Sequence, residues 1–352
     1  MRFFHIADVH LGAEPDKGFP WSQDRSWEIW DSFRRVIEQA GQDHADLFLI
    51  AGDLFHRQPL ARELKEVNAM FSSIPDTKIL LIAGNHDYLR KDSLYTRFSW
   101  SPNVYGLWSQ EITHVDFPDL GVRVTGCSYK SREISRPLYD TLKKSGEMPV
   151  EILLAHGGDE KHIPISRDRL AASGFDYIAL GHIHKPQVLQ TDQMIYAGSL
   201  EPTEKNDTGP HGFVKGEIRN GKVRTVFVPW AAREYKELKV PVTRETTQYT
   251  LRQKISGLLE EKGKEHIYTL ILQGERNPET EFQLSQLYSL GNIRQVEDQS
   301  RSAWSLEELC RKHRGSLLEE YIRSFGEDPG EEEKKALDYG IRALLETGEE
   351  IL

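Results

Sequence analysis

The chain has 352 residues, of which 38% are hydrophobic and 28% are charged, a mixture that can bury a core and that excludes a disordered protein. Its two cysteines, Cys127 and Cys310, exclude a disulfide framework and a cysteine-rich zinc module. The formal net charge is -10, so any attraction for a phosphate-bearing partner has to be local.

Five short apolar runs near the start of the chain each end in polar side chains that can bind a metal ion. The runs cover residues 3–7, 47–51, 79–83, 152–155 and 177–180. Short, nearly unbroken apolar runs are typical of strands that are buried on both faces of a sheet. The sequence therefore predicts five buried strands.

Two helical patterns lie between these runs. The first follows the cap candidates Ser22 and Asp24, and the second follows Pro59. Their apolar stripes consist of Trp27, Trp30, Phe33, Val36, Ile37 and Ala40, and of Leu60, Leu64, Val67 and Phe71. Strands that alternate with helices predict an α/β core, in which the carboxyl ends of the strands share one ligand-binding edge.

The pattern changes in the second half of the chain. Asn220 and Gly221 predict a hairpin turn between two strands, and a domain boundary is expected within residues 229–235. A strand, a helix, a strand and a helix are then predicted over 235–242, 248–262, 267–273 and 279–290. Ser305 and Glu308 fit a capping box that opens a helical C-terminal segment. We predict three parts: residues 1–232, a small α+β domain of 233–300, and C-terminal helices in 301–352.

Seven side chains at the ends of the five runs form a candidate metal-binding set. They are Asp8, His10, Asp53, Asn85, His156, His182 and His184. Imidazole and carboxylate ligands without a thiolate favour Mn²⁺, Fe²⁺ or Zn²⁺. Each fragment alone is more often a turn, a helix cap or a structural histidine. Together they are too many for one catalytic ion, and they suit two ions about 3.5–4 Å apart that share a carboxylate.

These fragments resemble the motifs of the calcineurin-like metallophosphoesterase superfamily over roughly residues 1–200. The matching motifs are Asp8-x-His10, Gly52-Asp53, Gly84-Asn85-His86-Asp87, His156 and Gly181-His182-x-His184. The resemblance implies a four-layer α-β-β-α sandwich around two metal ions. It assigns one ion to Asp8, His10, Asp53 and His184, and the other to Asp53, Asn85, His156 and His182, so that Asp53 bridges them.

Four segments narrow the resemblance to the SbcD-type DNA-repair exonucleases. They are residues 5–12, 52–56, 181–186 and 196–199. This resemblance implies a nuclease that hydrolyses DNA phosphodiester bonds with two divalent ions, foremost Mn²⁺. It implies that 1–232 is the metallophosphoesterase (nuclease) domain and 233–300 a capping domain. It also implies an SbcC-type SMC-like ATPase partner and a homodimer.

Two histidines beside the ligand set are candidates for work on the substrate. His86 follows Asn85, and the resemblance implies that it is not itself a ligand. Histidine suits the role of a general acid, because its ordinary pKa lies near neutrality. At this position it would protonate the leaving oxygen. The alternative is that His86 only orients Asp53 or Asn85. His56 would position a substrate phosphate, or else simply begin a helix.

Loops beside the ligand strands mix aromatic and basic residues. The basic residues Arg90, Lys130 and Arg132 are candidate DNA contacts, since such side chains grip phosphates. The aromatic residues of segments 19–21, 88–91 and 129–132 would then stack on bases. Ordinary solvated loops with aromatic core plugs are the alternative.

Three functional hypotheses follow from these features. A metal-dependent nuclease at DNA ends is preferred over a phosphomonoesterase or cyclic-nucleotide phosphodiesterase of the same fold. A non-enzymatic scaffold subunit is disfavoured because all seven ligand positions are filled. The C-terminal helices would either complete the core of the capping domain or dock on the ATPase.

The sequence also bears on where in the cell the protein is expected. The sequence has no apolar run of the about 18 residues that span a bilayer, and Asp8 comes too early for a signal peptide. We therefore expect no membrane association and a cytoplasmic, nucleoid-associated protein.

Overall fold

The computed structural model describes residues 1–326 and 329–347 of the chain. These residues fall into two compact units, which divide between Tyr235 and Lys236. Positions 327, 328 and 348–352 of the predicted C-terminal segment lie outside the described residues. Within the described part of the chain, no helix combines the length and the apolar character that crossing a membrane requires.

The first unit contains two sheets with helices between their strands. Its strands are β1 (Arg2–Ile6), β2 (Leu47–Ala51), β3 (Lys78–Ile82), β4 (Val104–Gly106), β5 (Thr113–Phe117), β6 (Val122–Gly126), β7 (Val150–His156), β8 (Tyr177–Gly181), β9 (Gln187–Gln190), β10 (Met194–Tyr196), β11 (Gly212–Arg219) and β12 (Lys222–Pro229). Its helices are α1 (Ser22–Gln42), α2 (Ala61–Ser72), α3 (Leu94–Arg97) and α4 (Arg167–Ala171).

The strand order places the polar strand ends at one edge. The first sheet runs β12-β11-β1-β2-β3-β4 and the second runs β5-β6-β7-β8-β10-β9. Strands β1 to β4 are parallel to one another, as are β6, β7, β8 and β10. The five predicted strands are confirmed as β1, β2, β3, β7 and β8. Every residue of β2, β7 and β8 is buried, as the apolar runs 47–51, 152–155 and 177–180 within them indicated.

The two sheets pack face to face and are covered on the outside. Leu49 of β2 and Leu154 of β7 belong to the core between the sheets. On the other face of the first sheet, Phe48 packs with Phe33 of α1 and Phe71 of α2. The second sheet is covered more thinly, by α4 and loops around Tyr129. The predicted four-layer α-β-β-α sandwich is therefore confirmed.

One residue of each predicted helical stripe was placed wrongly. Leu60 precedes α2 and is 43% exposed. Helix α1 buries Phe33, Val36 and Ile37, but Trp27 is 66% exposed. At about 100° per residue, the nine residues from Trp27 to Val36 turn the helix through about two and a half turns, so Trp27 lies on the opposite face.

The second unit is a small sheet with helices. Its elements are β13 (Tyr235–Val242), α5 (Gln248–Lys262), β14 (Ile267–Arg276), β15 (Ile293–Asp298), β16 (Arg301–Ser302), α6 (Leu306–Lys312), α7 (Leu317–Ser324) and α8 (Glu331–Glu346). The order is β13-β14-β15, with β16 also paired to β14. The predicted strand 235–242 and helix 248–262 are confirmed. The strand β15 was missed because its sequence is mostly polar.

The predicted helix over 279–290 is wrong. Two short 3-10 turns, Leu284–Gln286 and Tyr288–Leu290, occupy the end of that segment. The apolar residues Leu284, Leu287 and Leu290 recur every third position, which suits three residues per turn and directs Leu287 into the core.

The C-terminal helices have a core of their own. Leu318 and Ile322 of α7 pack against Leu337 and Ile341 of α8. The Arg342 guanidinium of α8 also donates a hydrogen bond to Ser302 Oγ in β16 at 2.9 Å. Helix α6 starts after Ser305 as predicted, but the Ser305 side chain makes no capping hydrogen bond. Packing between α7 and α8 thus buries part of the apolar side chains of these helices.

Candidate metal centre

All seven predicted ligands lie at the carboxyl edge of the two sheets. Asp8, Asp53 and Asn85 follow β1, β2 and β3, while His156 ends β7 and His182 follows β8. The backbone amide of His182 donates to both carboxylate oxygens of Asp8, at 3.1 and 2.9 Å. The two sheets thus contribute to one cluster, in which Asp8 and His182 are 174 positions apart in the chain.

The cluster has two groups of side chains that face each other. In one group, His10 Nε2 and His184 Nε2 are 3.0 Å apart, and the ligand atoms of Asp8 lie within 4.8 Å of both. In the other group, the Asn85 Oδ1 atom lies 2.9 Å from His156 Nε2 and 3.1 Å from His182 Nδ1.

Asp53 lies between the two groups. Its Oδ2 atom is 3.4 Å from His156 Nε2, and its Oδ1 atom accepts the His86 backbone amide at 2.9 Å. The carboxylates of Asp8 and Asp53 and the His156 imidazole have ligand atoms within 4.8 Å of one another. Asp53 therefore lies beside one residue of each group, Asp8 and His156.

Hydrogen bonds fix which imidazole nitrogen faces the cluster. His156 Nδ1 is 2.8 Å from the Ala51 carbonyl oxygen, and His184 Nδ1 is 3.2 Å from Asp207 Oδ2. His182 is reversed, because its Nε2 is 2.7 Å from Asp159 Oδ2. In a neutral imidazole, a nitrogen that donates outward leaves the other nitrogen bare, as a metal ligand must be. The donor set therefore fits two divalent cations.

Charge within the cluster is balanced by imidazoles. Burial raises the pKa of Asp8 to about 6. Burial also opposes the charged forms of Asp53 and His156, but their mutual attraction outweighs it. The pKa of Asp53 consequently lies well below its ordinary value, and that of His156 rises to about 9. Asp53 and His156 thus stabilise each other's charged forms.

The backbone at the cluster is held in an unusual conformation. Asp8, His10, Asp53 and His182 have positive φ angles of 49°, 53°, 50° and 97°. Such conformations cost about 1–3 kcal/mol each and persist where the surroundings enforce them. Here the amides of Asp8 and His10 donate to the carbonyls of Gly52 and Asp53, both at 3.1 Å.

Gly84 allows two ligands to meet. A Cβ atom at this position would lie 2.2 Å from Asp53 Oδ1 and 2.7 Å from His156 Nε2. We therefore expect Gly84→Ala to displace these side chains and to lower the bound metal below the wild-type amount, as measured by elemental analysis. Gly257→Ala is the control, because nothing lies within 4 Å of the added methyl group. Wild-type metal content in Gly84→Ala would contradict this role.

Three carboxylates that support the cluster were given no role from the sequence, and only Asp87 was noted there, as part of a motif. Asp159 and Asp207 contact His182 and His184, and the buried Asp87 accepts hydrogen bonds from Tyr95 Oη and the Phe55 amide at 2.6 and 3.1 Å. The position of Asp159, three residues after His156, was a usable signal. Asp207 lies 23 residues after His184 in a loop and had none.

His86 and His56 lie next to the cluster. The ring centroids of His10 and His86 are 4.8 Å apart, and those of His56 and His86 are 5.0 Å apart. His86 Nδ1 is 3.1 Å from the His56 carbonyl oxygen. The ligand atoms of His10, His56 and His86 also lie within 4.8 Å of one another. Geometry alone therefore permits either a catalytic or a ligating His86.

The predicted DNA-contacting residues lie on adjoining loops. Arg90, Lys130 and Arg132 are exposed, and the Leu89 amide donates to the Tyr129 carbonyl at 2.7 Å, which joins their loops. The aromatic Tyr129 is fully buried, and its hydroxyl donates to the His156 carbonyl at 3.1 Å. Trp21 is buried as well. The prediction that these two aromatic side chains stack on DNA bases is therefore wrong, because both are buried in the core.

Residues 1–186 match the family model of the calcineurin-like phosphoesterases. The match covers more than half of the chain, and the chain belongs to this family. Its fold is the sandwich described above, and the family consists of phosphoester hydrolases that use divalent metal ions.

Several curated proteins are similar over most of the chain. An uncharacterized metallophosphoesterase of Bacillus subtilis, YhaO, is 29% identical over 300 residues, which are 78% of this chain and 72% of that protein. The DNA double-strand break repair protein Mre11 of Archaeoglobus fulgidus is 28% identical over 281 residues, 68% of this chain and 61% of Mre11. Mre11 of Methanocaldococcus jannaschii is 27% identical over 219 residues, 59% and 58% of the two chains. The chain thus spans about three fifths of these Mre11 proteins.

Proposed function

We propose that this protein is a two-metal-dependent DNA nuclease of the SbcD type that hydrolyses phosphodiester bonds at DNA ends in repair. The observation that carries the proposal is that the loop after His86, which bears the exposed Arg90, is hydrogen-bonded to the loop that bears the exposed Lys130 and Arg132. Exposed cations beside a hydrolytic centre suit a substrate that continues past the cleaved phosphate. The similarity to the Mre11 proteins supports the same substrate class.

The ligand assignment is part of this proposal. Asp8, His10 and His184 hold one ion, Asn85, His156 and His182 hold the other, and Asp53 contacts both. When bound, such a pair of ions supplies Lewis-acid activation of a phosphoester and of the attacking water. We propose Mn²⁺ as the native ion, because the donor set is imidazole, carboxylate and amide without a thiolate.

His86 is the proposed general acid. Its Nδ1 atom is engaged with the His56 carbonyl, so the Nε2 edge is the one available to substrate. Its backbone amide donates to Asp53, which fixes the ring beside the cluster. A proton at Nε2 would pass to the leaving oxygen of the phosphodiester. The exposed His56 would position a neighbouring phosphate.

The proposal is tested on DNA directly. End-labelled single- and double-stranded DNA is incubated with the protein and increasing Mn²⁺, and bis- and mono-nitrophenyl phosphate are compared in parallel. Mn²⁺-dependent cleavage of DNA and of the diester supports the proposal. Hydrolysis of the monoester alone, with intact DNA, would instead identify a phosphomonoesterase.

Further proposals concern assembly and location. We propose that residues 233–300 form a capping domain for the nuclease domain of residues 1–232. The partner would be an SbcC-type SMC-like ATPase in the cytoplasm at the nucleoid, and the nuclease would be a homodimer. Leu317 of α7 is 41% exposed and Tyr339 of α8 is 71% exposed, which leaves apolar surface for docking.

Deleting residues 303–352 is expected to leave hydrolysis of a small diester largely unchanged and to weaken binding of the ATPase sharply. The helices carry a self-contained apolar cluster, which includes Leu318 and Ile341, so removing them takes away a whole packing unit. Diester kinetics and a pull-down with the ATPase measure the two effects. Loss of a cooperative thermal melt would show that these helices belong to the protein's own core.

A further inference from the structure

Two carboxylates outside the predicted ligand set each contact one histidine of the cluster. Asp159 Oδ2 lies 2.7 Å from His182 Nε2, and Asp207 Oδ2 lies 3.2 Å from His184 Nδ1. These two histidines belong to different groups of the cluster and use opposite ring nitrogens. The outer contact of each histidine therefore determines which nitrogen is left bare toward the cluster.

We propose that Asp159 is a positioning residue that fixes His182 with Nδ1 bare, and that Asp207 does the same for Nε2 of His184. This inference rests on the proposed binuclear centre and adds that each ion has its own supporting carboxylate. The two sites would then be separable, since a change at one carboxylate would weaken one ion and spare the other.

The hydrogen bonds of Asp159 require a carboxylate rather than an amide at this position. Its Oδ1 atom accepts the backbone amides of Lys161 and His162 at 2.8 and 2.9 Å. Its Oδ2 atom accepts from His182 Nε2, while His162 Nδ1 lies 2.9 Å from both oxygens. Both oxygens are thus used as acceptors, a condition that an ionised carboxylate meets and an amide does not.

An asparagine at position 159 would reverse the hydrogen bond to His182. If its oxygen kept the amides of Lys161 and His162, its NH₂ group would face His182 Nε2. That nitrogen would then have to accept, and the proton would move to Nδ1, the atom proposed as ligand. Asp159→Asn is therefore a nearly isosteric change that disfavours the His182 tautomer with its proton on Nε2.

Asp207 is held differently. Its Oδ2 atom accepts the amides of Thr203 and Glu204 at 3.0 and 3.1 Å in addition to His184 Nδ1. The Thr203 hydroxyl also donates to Oδ2, at 3.2 Å. One oxygen thus receives all four donors, so an asparagine oxygen could replace it. The informative change at this position is Asp207→Ala, which removes the carboxylate and leaves only the Thr203 hydroxyl, 3.5 Å from His184 Nδ1.

The experiment is a Mn²⁺ titration of the metal-free full-length protein, with free Mn²⁺ followed by its EPR signal. The wild type is expected to bind two equivalents. Asp159→Asn should weaken one equivalent by about 10–100-fold and leave the other unchanged. Asp207→Ala should weaken the other one. Glu160→Gln is the matched control, since it removes a neighbouring exposed charge and should change neither.

A double mutant assigns the affected site. Asn85→Ala removes a ligand of the site that contains His182, so adding Asp159→Asn to it should not weaken the remaining ion further. Adding Asp207→Ala to Asn85→Ala should weaken it. In addition, ¹⁵N NMR of the histidines in metal-free protein should show His182 with its proton on Nε2 in the wild type and on Nδ1 in Asp159→Asn.

The outcomes separate this inference from the proposed function. Two bound equivalents in the wild type with unchanged affinities in Asp159→Asn would overturn the inference and leave the binuclear centre standing. An equal loss at both sites would also overturn it, because it would indicate general disruption. A wild type that binds no Mn²⁺ would overturn the inference and the proposed function together.

Discussion

Asp53→Asn is expected to remove one metal equivalent and to lower hydrolysis by about 10³-fold or more. Asp53 is buried between the two groups of the cluster, with one oxygen near His156 Nε2 and the other on the His86 amide. The change removes the negative charge that two cations would share. It also places an NH₂ group opposite either an imidazole nitrogen or the His86 N–H. Elemental analysis and a diester assay measure the two losses.

Asp192→Asn is the matched control for this substitution. Asp192 also has a positive φ, 60°, and its carboxylate accepts the Thr225 amide at 2.7 Å, away from the cluster. It should retain two metal equivalents and wild-type hydrolysis. Two fully retained metals in Asp53→Asn would show that Asp53 is not the bridging ligand.

The strand ends were predictable because two independent signals coincide there. Unbroken apolar runs indicate buried parallel strands, and the polar residues that end them gather at one edge by the geometry of the sheet. Asp8 and His182 meet for this reason, although they lie in different sheets and far apart in the chain. The convergence of all seven side chains thus follows from pattern and topology.

The supporting residues were not predictable in the same way. Asp207 reaches His184 from an irregular loop, whose path depends on tertiary contacts and not on local periodicity. The burial of Tyr129 was not predictable for a similar reason. The local sequence of a loop does not decide whether an aromatic side chain in it points into the core or into solvent. The 3-10 turns around Leu287 show that spacing by three residues is easily mistaken for an α-helix.

His86→Ala is expected to retain both metal ions and wild-type DNA affinity, and to slow only the catalytic step. A positioned general acid contributes about 10²–10⁴-fold, so single-turnover cleavage at saturating Mn²⁺ should fall by that factor. His86 supports this expectation because its Nδ1 atom is already engaged with the His56 carbonyl, while its ring lies against His10. Metal content, DNA binding and cleavage are measured on the same preparation.

Two control variants accompany His86→Ala, one expected to lose both metal and rate and one expected to lose neither. His156→Ala removes a proposed ligand and should lose metal along with rate, whereas His114→Ala removes an exposed imidazole on β5 and should change neither. Cleavage by His86→Ala within a few-fold of wild type would make His86 an orienting residue, with the leaving group protonated by water. Loss of a metal would instead favour the alternative that the structure also permits, in which His86 joins His10 and His56 as a ligand. The paired measurement of metal and rate therefore separates general-acid catalysis from ligation.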